Sequence, residues 1–173
     1  MDLFSPTRSS SLSGKKYGYV LVDNFLRFTW VFFLTYKNKT FNKFQIFFRK
    51  IEQKGKYVIS NIQSDHGSEF ENNEFDQFCR THRINHRYSS PRTLEQNRVV
   101  ERRNRTLVEM AQTMLIGSNL PRKFWAETVN TSCYIINRAI VKSFSKKLLT
   151  SYSKVRVLQL LTLKFLVLNT LFT

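Results

Sequence analysis

Three acidic side chains in this chain could, brought together, serve phosphate chemistry. Asp65 follows an extended run, Tyr57-Val58-Ile59-Ser60-Asn61-Ile62, and Gly67 comes two residues later. It is therefore expected at the carboxyl end of a strand, where open α/β sheets carry their functional groups. Glu101 lies in the first turns of a helical pattern in which Val100, Leu107, Val108, Ala111, Met114 and Leu115 recur at helical spacing. Between Asp65 and Glu101 lie 35 residues, and a third acid, Asp2, opens the chain in Met1-Asp2-Leu3-Phe4-Ser5-Pro6-Thr7. Brought together, three carboxylates form an all-oxygen site suited to Mg²⁺ or Mn²⁺. Two such ions ~3.5–4 Å apart activate an attacking oxygen and stabilise the leaving oxygen of an in-line phosphoryl displacement. Asp23 ends another strand and competes with Asp2 as the first ligand; its alternative role is to form the turn that follows. No Ser/His/Asp or Cys/His set offers a protein nucleophile.

The elements that must position these acids follow from hydrophobic pattern. Tyr17 to Val22 and Phe28 to Leu34 are aromatic and β-branched runs separated by the turn Asn24-Phe25-Leu26-Arg27, an antiparallel hairpin. Thr40 can cap a helix to about Gln53, with Phe41, Phe44, Phe47 and Phe48 on its core face and Lys43, Arg49 and Lys50 opposite. Asn72-Asn73-Glu74 caps a short helix through Arg80, and Ile84 to Tyr88 gives a last strand. After the polar loop Ser89-Ser90-Pro91-Arg92-Thr93 comes the Glu101 helix, from about Asn97 to Gly117. Pro121 starts a second amphipathic helix with Phe124, Trp125, Val129, Cys133, Ile135 and Ile136 inward. The order β-β-β-α-β-α-β-α-α implies a mixed α/β sheet with helices on both faces. Asp2, with so little chain before it, is expected on a truncated strand that frays.

Lys and Arg number 28 against 12 Asp and Glu, a net charge of +16, well beyond the ~2–8 that solubility alone asks of a small domain. A polyanionic partner follows, with nucleic acid foremost. Lys15, Lys16, Arg92, Arg98, Arg102 and Arg103 are expected to supply salt-dependent, largely sequence-independent affinity. Taken alone, Glu101 would be a surface acid paired with Arg105 one turn on, worth a few tenths of a kcal/mol. Cys79 and Cys133 fall inside helical patterns without disulfide or zinc-clamp spacing and are expected as core residues in a reducing compartment. His82 and His86 fall at a helix end and in a strand, so no shared zinc is expected. No membrane association is expected, because the apolar run near the end is shorter than the ~20 residues of a bilayer span.

Several motifs occur together. These are Asp-Leu-Phe-x-Pro at Asp2, Val22-Asp23, Ser-Asp-x-Gly-x-Glu-Phe from Ser64, Gln-Asn-x-Val-x-Glu-Arg-x-Asn-Arg-Thr from Gln96, and Phe124-Trp125-Ala126-Glu127-Thr128-Val129. In combination the chain resembles the integrase catalytic core of copia-type LTR retrotransposons over about residues 2 to 140. The resemblance implies a ribonuclease H-like fold and metal-dependent strand transfer of DNA. It makes Asp2, Asp65 and Glu101 the catalytic ligands of Mg²⁺ or Mn²⁺, and favours Asp2 over Asp23. It puts Gln96 and Asn97 in a loop near the scissile phosphate, although Asn97 can equally cap the helix. Element ends and target DNA would be the partners, a homo-oligomer the assembly and the nucleus the location. The family's upstream His-His-Cys-Cys zinc domain is absent, so a core without its amino-terminal domain is expected.

The chain also departs from that pattern. Ser68 and Arg98 stand where the family usually has glycine, and Leu26 where it has serine. Residues 141–173 lose the resemblance, as a shifted or decayed reading frame would. The expected reading is a core over 1–140, a divergent tail over 141–173, and a degenerate integrase copy. The competing readings are a non-catalytic DNA-binding remnant and another ribonuclease H-like nuclease or transposase.

Overall fold

A computed structural model of the chain describes residues 1–5, 9–53, 58–89 and 98–148, with side chains from 99 to 140 in the last stretch. It divides into two compact units, Met1–Tyr134 and Ile135–Thr173. In the first, strands β1 (Asp2–Phe4), β2 (Tyr17–Val22) and β3 (Thr29–Leu34) form an antiparallel sheet in the order β1-β2-β3. Asp2 faces Val20 and Phe4 faces Gly18; Tyr19 faces Phe32 across the next pair. A second, parallel pair joins β4 (Asn61–Ser64) to β5 (Asn85–Tyr88), with Ser64 opposite Tyr88. The Met1 nitrogen donates to the Gln63 carbonyl at 2.6 Å, tying the leading edge of β1 to β4. β1 is thus held on both sides, and the expected fraying of the Asp2 strand is not what the structure shows.

Helix α1 (Thr40–Gln53) has the bounds expected of it. Phe44 and Phe48 are buried and Phe41 and Phe47 partly so; Phe41, Phe44 and Phe48 mesh with Phe75 and Phe78 of α2 (Asn73–Thr81), and Phe47 packs on Trp30 and Phe32 of β3. The Phe44–Phe75 and Phe48–Phe78 ring centroids are each 5.2 Å apart, and the Trp30–Phe47 centroids 5.1 Å. Each buried ring contributes about 1.5–3 kcal/mol relative to exposure, so this aromatic layer holds α1 and α2 to Tyr19, Leu21 and Ile62 of the strands. Asn72 caps α2 by accepting from the Phe75 amide at 2.9 Å. Cys79 and Cys133 are buried within helices, as expected, and the Cys133 thiol donates to the Thr29 carbonyl at 3.3 Å.

Helix α3 (Arg98–Gly117) and α2 stop in the same way. The Leu120 amide reaches back to the Leu115 carbonyl and the Ile84 amide to that of Cys79, closing each last turn. The residue just before each closure is left-handed, Asn119 at φ 49° and Arg83 at φ 54°. Gly117 is the last residue of α3, where the sequence pattern ends the helix. Pro121 starts a short 3₁₀ turn, Arg122–Phe124, before α4 (Trp125–Leu148). Trp125, Val129 and Cys133 are buried; Ile135, expected inward, is instead 41% exposed. α4 runs past the expected boundary at 140, and residues 149–173 of the expected tail lie outside the described residues.

Gly18 lets β1 lie close to β2. A Cβ at Gly18 would sit 2.5 Å from the tip of the Phe4 ring, its cross-strand partner. Gly18→Ala is therefore expected to displace Phe4 and cost about 1 kcal/mol, read from chemical denaturation at constant denaturant slope.

Candidate active site

The site is built where β1 meets β4. Asp65 follows the last residue of β4, at the carboxyl end of a strand as its sequence context predicts, and its Oδ1 accepts from the Gly67 amide at 3.3 Å. Asp2 sits in β1, half-buried. Its Oδ1 accepts from the Leu3 amide at 2.7 Å and its Oδ2 from the Asn104 side-chain amide. Burial holds the Asp2 carboxyl above the usual carboxylate range, and the charge on Asp65 pushes it the same way; the Leu3 and Asn104 hydrogen bonds pull it back. Asp2 therefore lies near enough to Asp65 to feel its charge.

Glu101 occupies the first turn of α3, exposed, three residues before the Asn104 that grips Asp2. The helix brings it to the right end of the sheet. Among the described residues, however, no group of three or more His, Cys, Asp or Glu side chains is close enough to hold a metal ion. The expected trio is thus assembled as a pair with a third acid on the neighbouring helix. The pair fits a hard divalent cation: its donors are all carboxylate oxygens, and its mutual repulsion is what such an ion neutralises. Asp23 does something else. Its Oδ1 accepts from the Phe25 and Leu26 amides at 2.8 and 2.7 Å, as an acid that forms a turn does.

Of the expected DNA-contacting residues, Lys16 and Arg102 are exposed and Lys15 half-buried. Arg103 lies partly under the β2–β3 turn, its guanidinium donating to the Arg27 carbonyl at 3.4 Å. Arg92, Gln96 and Asn97 lie outside the described residues, as does the side chain of Arg98.

Two functional features escaped sequence reasoning. Asn104, 7% exposed, carries a side-chain Oδ1 that is buried without a partner. Its signal was its fixed place in the Gln-Asn-x-Val-x-Glu-Arg-x-Asn-Arg-Thr motif, which gave it no role. The second is Ser64, fully buried beside Asp65, with its Oγ 2.9 Å from His86 Nε2 and donating to the Asp65 carbonyl at 3.0 Å. That donation leaves His86 to supply the Nε2 proton, so its unpartnered, buried Nδ1 is the lone-pair nitrogen of a neutral ring. Burial lowers the His86 pKa, against the raising effect of Asp76. The unfolded chain then takes up a proton that the folded one resists. Stability is lost as pH falls through the ordinary histidine value of about 6.5. His86→Gln, which keeps an amide donor toward Ser64, is expected to lose less stability than wild type between about pH 7.5 and 5.5, followed by denaturant melts across that range.

The comparisons with known proteins come down on the same fold. Residues 1–93, more than half of the chain, match the integrase core domain. The chain belongs to the integrase core domain family. Its relatives include the Pol polyproteins of copia-type retrotransposons. It is 38% identical over 138 residues, 80% of the chain, to that of transposon TNT 1-94 of Nicotiana tabacum. It is 33% identical over 128 residues, 74% of the chain, to that of transposon RE2 of Arabidopsis thaliana. The chain spans about a tenth of the length of these polyproteins, 10% and 9% respectively. Among solved structures, this integrase core is similar to the HTLV-2 integrase catalytic core domain in complex with magnesium, in its trimeric form. The TM-score is 0.52 at 23% identity, over 77% of this chain and 80% of that one. It is also similar to the simian T-cell lymphotropic virus intasome in complex with PP2A regulatory subunit B56 gamma. There the TM-score is 0.58 at 20% identity, covering 79% of this chain and 47% of the other. These likenesses establish the ribonuclease H-like fold of the integrase cores, a mixed α/β architecture.

Proposed function

We propose that this integrase core performs metal-dependent strand transfer, joining the 3′ hydroxyl of an element's DNA end to target DNA in the nucleus. The observation that supports this reading best is the placement of Asp2 in β1 and Asp65 at the carboxyl end of β4, near enough for the charge of Asp65 to act on the half-buried Asp2 carboxyl. Asp2 and Asp65 would hold Mg²⁺ or Mn²⁺, with Glu101 as the third ligand from the start of α3. Held there, such an ion would supply activation of the attacking oxygen and stabilisation of the leaving oxygen in the phosphoryl displacement. The chain's own residues do the rest. Asn104 orients Asp2, the backbone after β4 orients Asp65, and Lys15, Lys16, Arg102 and Arg103, with Arg92, Gln96, Asn97 and Arg98, hold the DNA by charge and amide contact. A homo-oligomer is the proposed assembly, in keeping with the trimeric and dimeric forms of the HTLV-2 core.

A specific observation favours a second reading, a DNA-binding remnant without catalysis. Glu101 does not join the two aspartates in a three-acid cluster. One experiment separates the two. Titrating the purified chain with Mg²⁺ or Mn²⁺ in a calorimeter, and then incubating it with labelled DNA ends and a supercoiled target, is expected to show ion uptake and joined product. DNA binding without ion uptake or product would leave the remnant reading standing and overturn the first.

A further inference from the structure

We propose that the β2–β3 turn and the adjoining face of α3 form a clamp for an unpaired nucleotide, with Arg27 and Arg103 on its phosphate and Phe25 against its base. The proposal rests on the DNA-handling reading above and assigns it a subsite apart from the acid pair. Phe25 is 76% exposed at the tip of the turn, where burial offers it nothing. Arg27, two residues on, is exposed; Arg103 comes up beneath it from α3, its guanidinium on the Arg27 carbonyl at 3.4 Å. Burial lowers the pKa of Arg103 against a raising effect of Cys133, and the charge of Arg27 adds to the lowering, so the two cations repel each other.

Among the described residues neither Arg27 nor Arg103 forms an ion pair with an acid. Asp23, the acid of the turn itself, has Oδ1 committed to the Phe25 and Leu26 amides. A phosphate between the two guanidiniums is the ligand whose charge and geometry satisfy both.

The turn is also preorganised. The Arg27 amide bonds the Asp23 carbonyl at 2.8 Å, and the Asp23 amide bonds that of Phe28 at 2.9 Å. Arg27 is locked left-handed at φ 59°. An exposed ring on a fixed turn spends little conformational entropy on binding. An aromatic face needs a base whose own face is open. Within a duplex those faces are covered by stacking, so a single-stranded or frayed nucleotide is the fitting occupant. Phosphates alone would ask for arginines and no ring.

Fluorescence anisotropy with a blunt labelled duplex, and with the same duplex carrying a short single-stranded tail, tests this at graded salt. Wild type is expected to bind the tailed DNA more tightly. Phe25→Ala should weaken tailed binding on the order of tenfold and leave blunt binding unchanged, while Phe25→Tyr restores it. Arg27→Gly keeps the positive φ and removes the charge, and should reduce the salt slope by about 1. Equal effects of Phe25→Ala on both DNAs, a loss of self-association in place of tail binding, or an unchanged slope in Arg27→Gly would overturn the clamp while wild-type binding persists. A wild type that binds neither DNA would overturn the DNA-handling reading itself.

Discussion

Asn104→Asp, a change of one atom at nearly constant volume, is expected to destabilise the chain at neutral pH by about 1.5–3 kcal/mol, the usual contribution of a hydrogen bond to a charged group. In wild type the Asn104 amide nitrogen donates to Asp2 Oδ2 from a position only 7% exposed. The substitution replaces that donor with a third carboxylate beside Asp2 and Asp65, in a place where burial already works against charge. The pH dependence identifies the cause. Burial and like charge raise the new carboxyl's folded pKa above its unfolded value of about 3.9. The folded state then holds the extra proton longer, so the deficit is absent below that value and grows as pH rises through the folded one. Asn104→Leu is the control. It also removes the donor, but it removes the unpartnered buried Oδ1 as well, so its loss should be smaller and nearly independent of pH. Denaturant melts of the three proteins at about pH 4 and about pH 7 decide the matter. A deficit in Asn104→Asp that does not shrink at the lower pH would show that packing, and not the Asp2 carboxylate, is what Asn104 serves.

Much of this arrangement was readable from the chain because local patterns fixed it. The phenylalanine spacing in α1, the Asn72 cap of α2 and the glycine two residues after Asp65 each point to one local structure, and tertiary packing agreed with all three. What escaped were contacts between residues far apart in sequence. The Asn104–Asp2 bond spans 102 positions and the Ser64–His86 contact 22, and neither leaves a periodic signature. The fraying expected of β1 failed for a similar reason. It counted only neighbours along the chain, whereas β2 on one side and the Gln63 carbonyl on the other secure the strand. The end of α3 at Gly117 was legible, but not the residue that closes it: the left-handed position is Asn119, an amino acid second only to glycine in tolerating that backbone. Convergence of Glu101 on the aspartates was implied by the family resemblance, and a shared motif carries no information on how far a helix start stands from a strand end.

Asp65→Asn is expected to abolish divalent-ion uptake and lower strand transfer by about 10³-fold or more, equivalent to ~4 kcal/mol of transition-state stabilisation, yet to leave the fold as stable as before or slightly more so. The two effects have one origin. The negative charge of Asp65 helps to hold the Asp2 carboxyl above its ordinary range, a repulsion present in the folded chain and weak in the unfolded one. An amide removes that repulsion and retains an Oδ1 to accept from the Gly67 amide. It cannot supply the charge that a hard cation needs. Magnesium should therefore raise the melting temperature of wild type in proportion to site occupancy and leave Asp65→Asn unmoved, while the ion-free variant melts at or above ion-free wild type. Glu101→Gln gives the comparison that bears on the third ligand. Exposed and apart from the pair, it should leave ion-free stability unchanged. It should weaken ion uptake only if the start of α3 closes on the aspartates when the ion binds. Thermal melts of the three proteins with and without Mg²⁺, beside calorimetric titrations, separate these outcomes. A destabilised Asp65→Asn would mean that the two acids are held together by something other than the chemistry they perform.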